Sequence, residues 1–485
     1  MQCKRAKLVP ISNTLLWLAF FLSTWLILTL IFSKPDPPKL RLVAVIFPLQ
    51  LLLRLCSRYW LPLWTVRAGD ENVWLDAVQM YETTGVIPYG SIAQGPGIFW
   101  AVGFIGQALH VEYGTALTIL AVGLGSLCVV PVYLMYESFA GDRTQVALAS
   151  VLLVFLADSM VYSTTIGRPT LLGLFLLPLA IWALQSLYAH FRWSTFTGLL
   201  LVTVMILMAH APITYVVLLL ALSLSLIVYD QVTKWQVAYA MIAFTLYGIV
   251  LQLILPDLDR IWKTELLGVY PLSVVPSVLG SNFFLAFPLI AASVLALSWI
   301  VAAASRRAGS FVSLSQLLRA RTFYMVVLVA LVLAALVVAS LFQKYSGFIA
   351  DAYGDPVKLL LLHGWKIPFG ILALAGVRRW LLSRSDSRRV HNCVAFPWLL
   401  CIIAVVAFLA WYPPLKAYPG LWNLDERFFE FAYYPAFYFV GVELERLSTR
   451  LPRRTFNWVI LPLVSLFVIP SIIVGTRDVD FIKPP

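Results

Sequence analysis

Apolar stretches of about twenty residues recur along the whole chain, separated by short polar breaks, and each is long enough to cross a bilayer core of about 30 Å as a helix. The runs lie near 11–32, 42–64, 115–137, 143–161, 170–189, 194–210, 212–229, 235–255, 281–304, 322–343, 366–383, 393–412, 430–446 and 455–475. The pattern predicts an all-α polytopic membrane protein with about fourteen transmembrane helices. The alternating strand segments of about ten residues that a β-barrel requires do not occur.

One long interval breaks the rhythm, residues 66–113. It carries Asp70, Glu71, Asp76, Glu82 and Glu112 against a lone Arg67. Within it, 71–83 reads as a short helix, ended by Gly85 and Pro88. Gly95-Pro96-Gly97 interrupts the chain again, and 98–109 is apolar but too short to span, as an interfacial or re-entrant helix would be. The expected architecture is therefore a transmembrane bundle with a long first external loop of short amphipathic helices and no large soluble domain. The run at 11–32 is too long for a signal peptide and lacks its small-residue cleavage site. It is expected to be an extra N-terminal transmembrane helix, with its loop occupying 1–41, ahead of a transmembrane domain over 42–485.

Composition agrees, with 61% of residues hydrophobic and only 12% charged. The net charge of +12 does not point to nucleic acid, because the basic residues sit in short loops on one side of the predicted bundle. Arg306, Arg307, Arg319 and Arg321 form one such loop, Arg378, Arg379, Arg384, Arg388 and Arg389 another, and Arg446, Arg450, Arg453 and Arg454 a third. The alternate loops are acidic: Asp257, Asp259 and Glu265; Asp351 and Asp355; Asp425, Glu426 and Glu430. The positive-inside rule makes the basic side cytoplasmic and the Asp70 loop extracytoplasmic, in a plasma membrane. The same threading puts the N-terminus outside, against the preference of Lys4, Arg5 and Lys7 for the cytoplasm. Five scattered cysteines have neither metal-site nor disulfide-framework spacing.

Asp70-Glu71 is the leading candidate for chemistry. Paired carboxylates beside a bilayer can act as a general base or hold a divalent cation. The structural alternative is a helix start, with Asp70 as N-cap and Glu71 favoured by the helix dipole. The stretch GDENVWLDAVQMYETTGVIPYG resembles the first external loop of GT-C membrane glycosyltransferases that use polyprenyl-phosphate sugars, among them protein O-mannosyltransferases and the aminoarabinose transferase of lipid A. Asp70, Glu71, Trp74, Ala77, Met80, Gly85 and Pro88 carry the likeness. The resemblance implies catalysis by Asp70 and Glu71, with Trp74 beside the substrate.

It also directs attention to other residues. In related enzymes the second loop commonly supplies another acid near the position of Pro169 or Thr170, but the sequence there is Arg168-Pro169-Thr170. Asp158, read as lying at the outer end of a span, is the available substitute, so a metal site for Mg or Mn would rest on Asp70 and Asp158. The structural alternative makes Asp158 a helix cap and Arg168 a snorkelling side chain. His210, between two apolar runs, resembles the histidine at a tight external turn in archaeal oligosaccharyltransferase-like proteins; an interfacial turn residue is the bland alternative. Arg427 stands before Tyr434-Pro435 as an arginine often does in that group, and Arg suits a lipid phosphate through its paired donors. Lys358 and His363, with Lys366, lie at the mouth of another span and are further candidates for the phosphate.

The resemblance implies a polyprenyl-phosphate-linked sugar donor and a lipid, glycan or protein acceptor, with Asp70 as general base. Lack of a soluble C-terminal domain argues against a complete peptide-glycosylating enzyme. Two rivals remain: a transporter or flippase for lipid-linked glycans, and a non-catalytic assembly subunit of the same fold. A transporter would show internal repeats and ionisable groups near mid-span, whereas the charges here cluster at the loops.

Overall fold

The computed structural model describes residues 5–33, 39–59, 69–85, 97–227, 233–254, 366–383 and 431–477, with isolated positions at 292, 296, 394–396, 398–399 and 402. The predicted spans at 281–304, 322–343 and 393–412 lie mostly or wholly outside these residues. Every regular element among the described residues is helical. In order they are α1 (Arg5–Ser33), α2 (Lys39–Tyr59), α3 (Gly69–Thr84), α4 (Gly97–Leu109), α5 (Tyr113–Leu127), α6 (Val129–Ala140), α7 (Thr144–Val154), α8 (Asp158–Thr165), α9 (Pro169–Ala189), α10 (Trp193–Ile227), α11 (Lys234–Ile254), α12 (Lys366–Ser383), α13 (Tyr433–Arg450) and α14 (Leu461–Arg477). Among the described residues, three segments are long and apolar enough to cross a membrane by length and composition: Tyr113–Ala140, Pro169–Ala189 and Trp193–His210.

Local chemistry explains the boundaries. Pro131 has no N–H to give the Leu127 carbonyl, and α5 and α6 meet there at Cys128, whose backbone stays helical, so that Tyr113–Ala140 is one span. Gly141 ends α6 at φ 59°, a conformation glycine adopts without a Cβ clash. Pro169 occupies the first turn of α9, where its fixed φ is already helical.

The helices share one main core. Phe20, Ile27, Leu28 and Ile31 of α1 join it beside Ile46 and Leu53 of α2 and Ala147 and Leu148 of α7. The N-terminal helix is thus packed against the bundle. Its partner α14 is entered through a π-helical turn, Phe456–Ile460, and the Trp25 indole N–H donates to the Asn457 carbonyl at 2.9 Å.

Polar contacts collect at one end. Lys39 pairs with Glu137 at 3.1 Å and Arg143 with Glu445 at 3.6 Å. Arg446 pairs with the buried Glu443, and Arg453 donates to the Ser33 carbonyl at 3.1 Å. The end of α1, the start of α2 and the end of α13 therefore share this basic face, and the N-terminal end of α1 faces the other way. That agrees with the loop threading and goes against the preference of the basic N-terminal residues.

One predicted span is different in the structure. The run 143–161 does not cross as a single helix. It breaks at Phe155–Ala157 into α7 and α8, and Asp158 opens the second helix instead of ending the first.

Close helix packing gives a stability test. A Cβ on Gly376 of α12 would strike the Phe439 backbone carbonyl of α13, whereas one on Gly198 meets nothing within 4 Å. Gly376→Val is expected to cost about 1–3 kcal/mol, read as a lowered thermal midpoint in detergent. Gly198→Ala in the same assay is expected to be neutral or to gain up to about 1 kcal/mol.

Candidate functional site

Opposite the basic face, α3 and α4 form a small layer on the end of the bundle. The backbone places Asp70 and Glu71 in the first turn of α3, where the helix dipole favours negative charge. One side of α3 is apolar: Trp74, Leu75, Ala77 and Val78 are buried against Ile98, Phe99 and Val102 of α4 and Ala116, Leu117 and Leu120 of α5. Asp76, Gln79 and Met80 face away. Two rings clamp Phe99, with Trp74 at 6.1 Å and Tyr81 stacked at 5.4 Å between centroids. The Trp100 indole N–H donates to the Tyr81 hydroxyl at 2.9 Å. Gly85 stops the helix at φ 70°, its N–H returning to the Tyr81 carbonyl at 2.7 Å. Trp74, 9% exposed, helps seat this layer.

The second element is the turn at His210. The long α10 is two helical legs joined where His210 takes φ −160°, ψ 85°. The His210 side chain is buried. Helix α4 begins hard against this turn: a Cβ on Gly97 would lie 2.9 Å from the Ala209 Cα and the Met208 carbonyl. Only glycine at 97 allows that approach, and it brings the acidic layer and the histidine turn together.

The third element is the turn from α8 to α9. Gly167 packs so closely on Leu117 that a Cβ there would overlap the leucine side chain. Arg168, extended at φ −138° ahead of α9, donates to the Ser163 hydroxyl and is largely buried. Leu117 also belongs to the α3–α4–α5 cluster, so this turn borders the acidic layer from the far side of α5.

A residue that the sequence reading left without a role lies beneath this turn. Arg54 of α2 is fully buried. Its Nη1 donates to the Gln50 carbonyl at 2.9 Å and the Gln50 Oε1 at 2.7 Å. Its Nε reaches the Thr164 carbonyl at 3.2 Å and its Nη2 the Thr164 hydroxyl at 2.5 Å. The guanidinium also sits 5.7 Å from the Phe155 ring centroid, within cation–π range. The available signal was Arg54 with Gln50 one turn earlier in an otherwise apolar run.

The structure therefore gathers the acid-headed helix, the Arg168 turn and the His210 turn around α4 and α5. Asp158 opens α8. Arg427, Lys358 and His363 lie outside the described residues. No group of three or more His, Cys, Asp or Glu that could hold a metal ion occurs among the described residues.

Neither a protein-family model nor a curated protein matches the chain. Solved structures do. The Archaeoglobus fulgidus oligosaccharyltransferase in complex with Zn and sulfate matches with a TM-score of 0.50 at 13% identity, over 91% of this chain and 53% of that one. The same enzyme, tethered by a disulfide bond to an acceptor peptide containing the NVT sequon, matches with a TM-score of 0.53 at 14% identity, over 91% and 56%. The archaeal oligosaccharyltransferase AglB from Archaeoglobus fulgidus, in complex with an inhibitory peptide and a dolichol-phosphate, matches with a TM-score of 0.52 at 14% identity, over 91% and 56%. The chain spans a little over half the length of the structures it matches. At these identities the likeness shows the fold, which is of the GT-C, oligosaccharyltransferase-like type.

Removing the ring that seats α3 is expected to loosen the acidic layer. Trp74→Ala should destabilise the protein by about 3 kcal/mol, as large-to-small changes at buried aromatics do, and the thermal midpoint in detergent measures it.

Proposed function

We propose that this protein is a membrane glycosyltransferase that moves a sugar from a polyprenyl-phosphate donor to an acceptor on the extracytoplasmic side. The observation that carries the reading is an acid-headed helix, α3, seated beside the Arg168 and His210 turns in a chain with the oligosaccharyltransferase fold. The dolichol-phosphate complex of the archaeal enzyme supports a lipid-linked donor. Its acceptor-peptide complex keeps a protein acceptor beside a lipid or glycan one.

The acceptor hydroxyl attacks the anomeric carbon while Asp70 takes its proton. The bond from that carbon to the phosphate oxygen breaks, and the lipid phosphate leaves with the electron pair. One displacement inverts the anomeric centre. Glu71 orients the acceptor. Arg427, with Lys358 or His363, meets the charge on the leaving phosphate, where fixed donors stabilise a transition state by several kcal/mol. Arg168 and His210 border the sugar's side of the site. The archaeal enzyme is seen with Zn. No step here is assigned to a metal.

The test is donor turnover. Purified protein would be incubated with radiolabelled polyprenyl-phosphate sugars and membrane extract, and sugar leaving the lipid measured. The wild type is expected to release sugar, with Asp70→Asn slower by about 10²–10⁴-fold, the usual worth of a general base. Full activity in that variant would remove Asp70 from the mechanism. Donor binding without turnover in the wild type would favour a lipid-linked-glycan transporter.

A further inference from the structure

Arg54 is a cation in the apolar body of the bundle with no carboxylate within ion-pair distance among the described residues. Ionisable groups at such depth are rare and are retained for a task. Its partners are all neutral, and they have a pattern. Phe155 lies just before α8 and Thr164 near its end, so the guanidinium touches the chain on both sides of one short helix. Gln50 holds the same guanidinium from one turn earlier on α2. Gly125 of α5 closes the arrangement, because a Cβ there would overlap the Thr164 carbonyl and approach the Arg54 Nε to 2.9 Å. The planar fork of Arg suits this; the single ammonium of Lys cannot meet the Thr164 carbonyl, the Thr164 hydroxyl and Gln50 in fixed directions.

We propose that Arg54 is a positioning residue of the transfer site: it clasps both ends of α8 and so sets where the broken span delivers the Gly167–Arg168 turn beside the acidic layer. The clasp is a statement about the fold; its effect on transfer rests on the function proposed above.

The experiment separates the two. A Cβ on Gly167 would overlap the Leu117 Cγ, so Leu117→Cys with Gly167→Cys, which drops the two δ carbons and puts sulfur at the γ position, should bridge on mild oxidation. Bridging in the full chain in nanodiscs is scored by mass spectrometry of the linked peptide. The proposal expects the bridge to form with Arg54 in place and to be lost in both Arg54→Gln and Arg54→Lys. It further expects kcat for donor turnover to fall on the order of 10²-fold in these variants without the cysteine pair, as for a misplaced site, while KM for the donor holds. Unchanged bridging in the folded Arg54→Lys variant would overturn it, and so would wild-type turnover there. Should the Arg54 variants fail to fold, Thr164→Val removes, at equal volume, the hydroxyl that accepts from the Arg54 Nη2 and donates to the Met160 carbonyl, and intact bridging in that variant would equally sink the clasp. Loss of the bridge in a protein whose wild type turns over no donor would uphold the clasp and reject the transferase reading alone.

Discussion

An interrupted helix in an apolar surround must have its freed polar groups met from inside the protein, because no water is at hand to meet them. The layout of this chain follows from that constraint. Its described spans are interrupted at Phe155–Ala157, at His210 and at the π-helical turn Phe456–Ile460. The first two are enclosed. Phe155, Leu156, Ala157 and His210 are buried. The Leu156 and Ala157 N–H groups return to Leu153 and Val154 at 3.1 and 3.2 Å. At the π turn, where Trp458 and Val459 are exposed, the Trp25 indole of α1 donates to the Asn457 carbonyl. The N-terminal helix is therefore part of what allows α14 to start as it does.

The interruptions are also what build the candidate site. A straight helix through 143–161 would have carried Asp158 to a loop tip. The break instead starts a new helix at that residue and returns the chain past Arg54 to Gly167, against the α5 residue that also seats α3. The kink at His210 does the same from the other side, through Gly97. Charges are placed by the same logic. At the basic face they pair with each other, as Lys39 does with Glu137 and Arg143 with Glu445, where solvent screening keeps any one pair weak. In the interior Arg54 is held by hydroxyl, carbonyl and amide groups and an aromatic face, all aimed at one guanidinium.

Legibility in the sequence tracked whether a feature was set by neighbours along the chain. The helix after Asp70 and its stop at Gly85, the short apolar helix near 98–109, and the turn between His210 and Pro212 were all readable, because dipole, φ preference and hydrophobic run length act over a turn or two. The end of α1 lies on the basic face beside Arg453, a placement the sequence left open between loop counting and the local charges at Lys4, Arg5 and Lys7. Trp74 came to notice through a family resemblance, and only the folded structure shows it packed on Phe99.

Hydropathy and charge are properties of the segments themselves, and they were enough to specify a helical membrane protein, its basic face and the acidic helix between two early spans. Folding in three dimensions was needed to break 143–161 at Phe155–Ala157, to set α4 against the His210 turn through Gly97, and to place Arg54 across both ends of α8. Those outcomes depend on residues more than a hundred positions apart, as Arg54 and Thr164 are, and no periodicity along the chain encodes which distant carbonyl a buried guanidinium will meet.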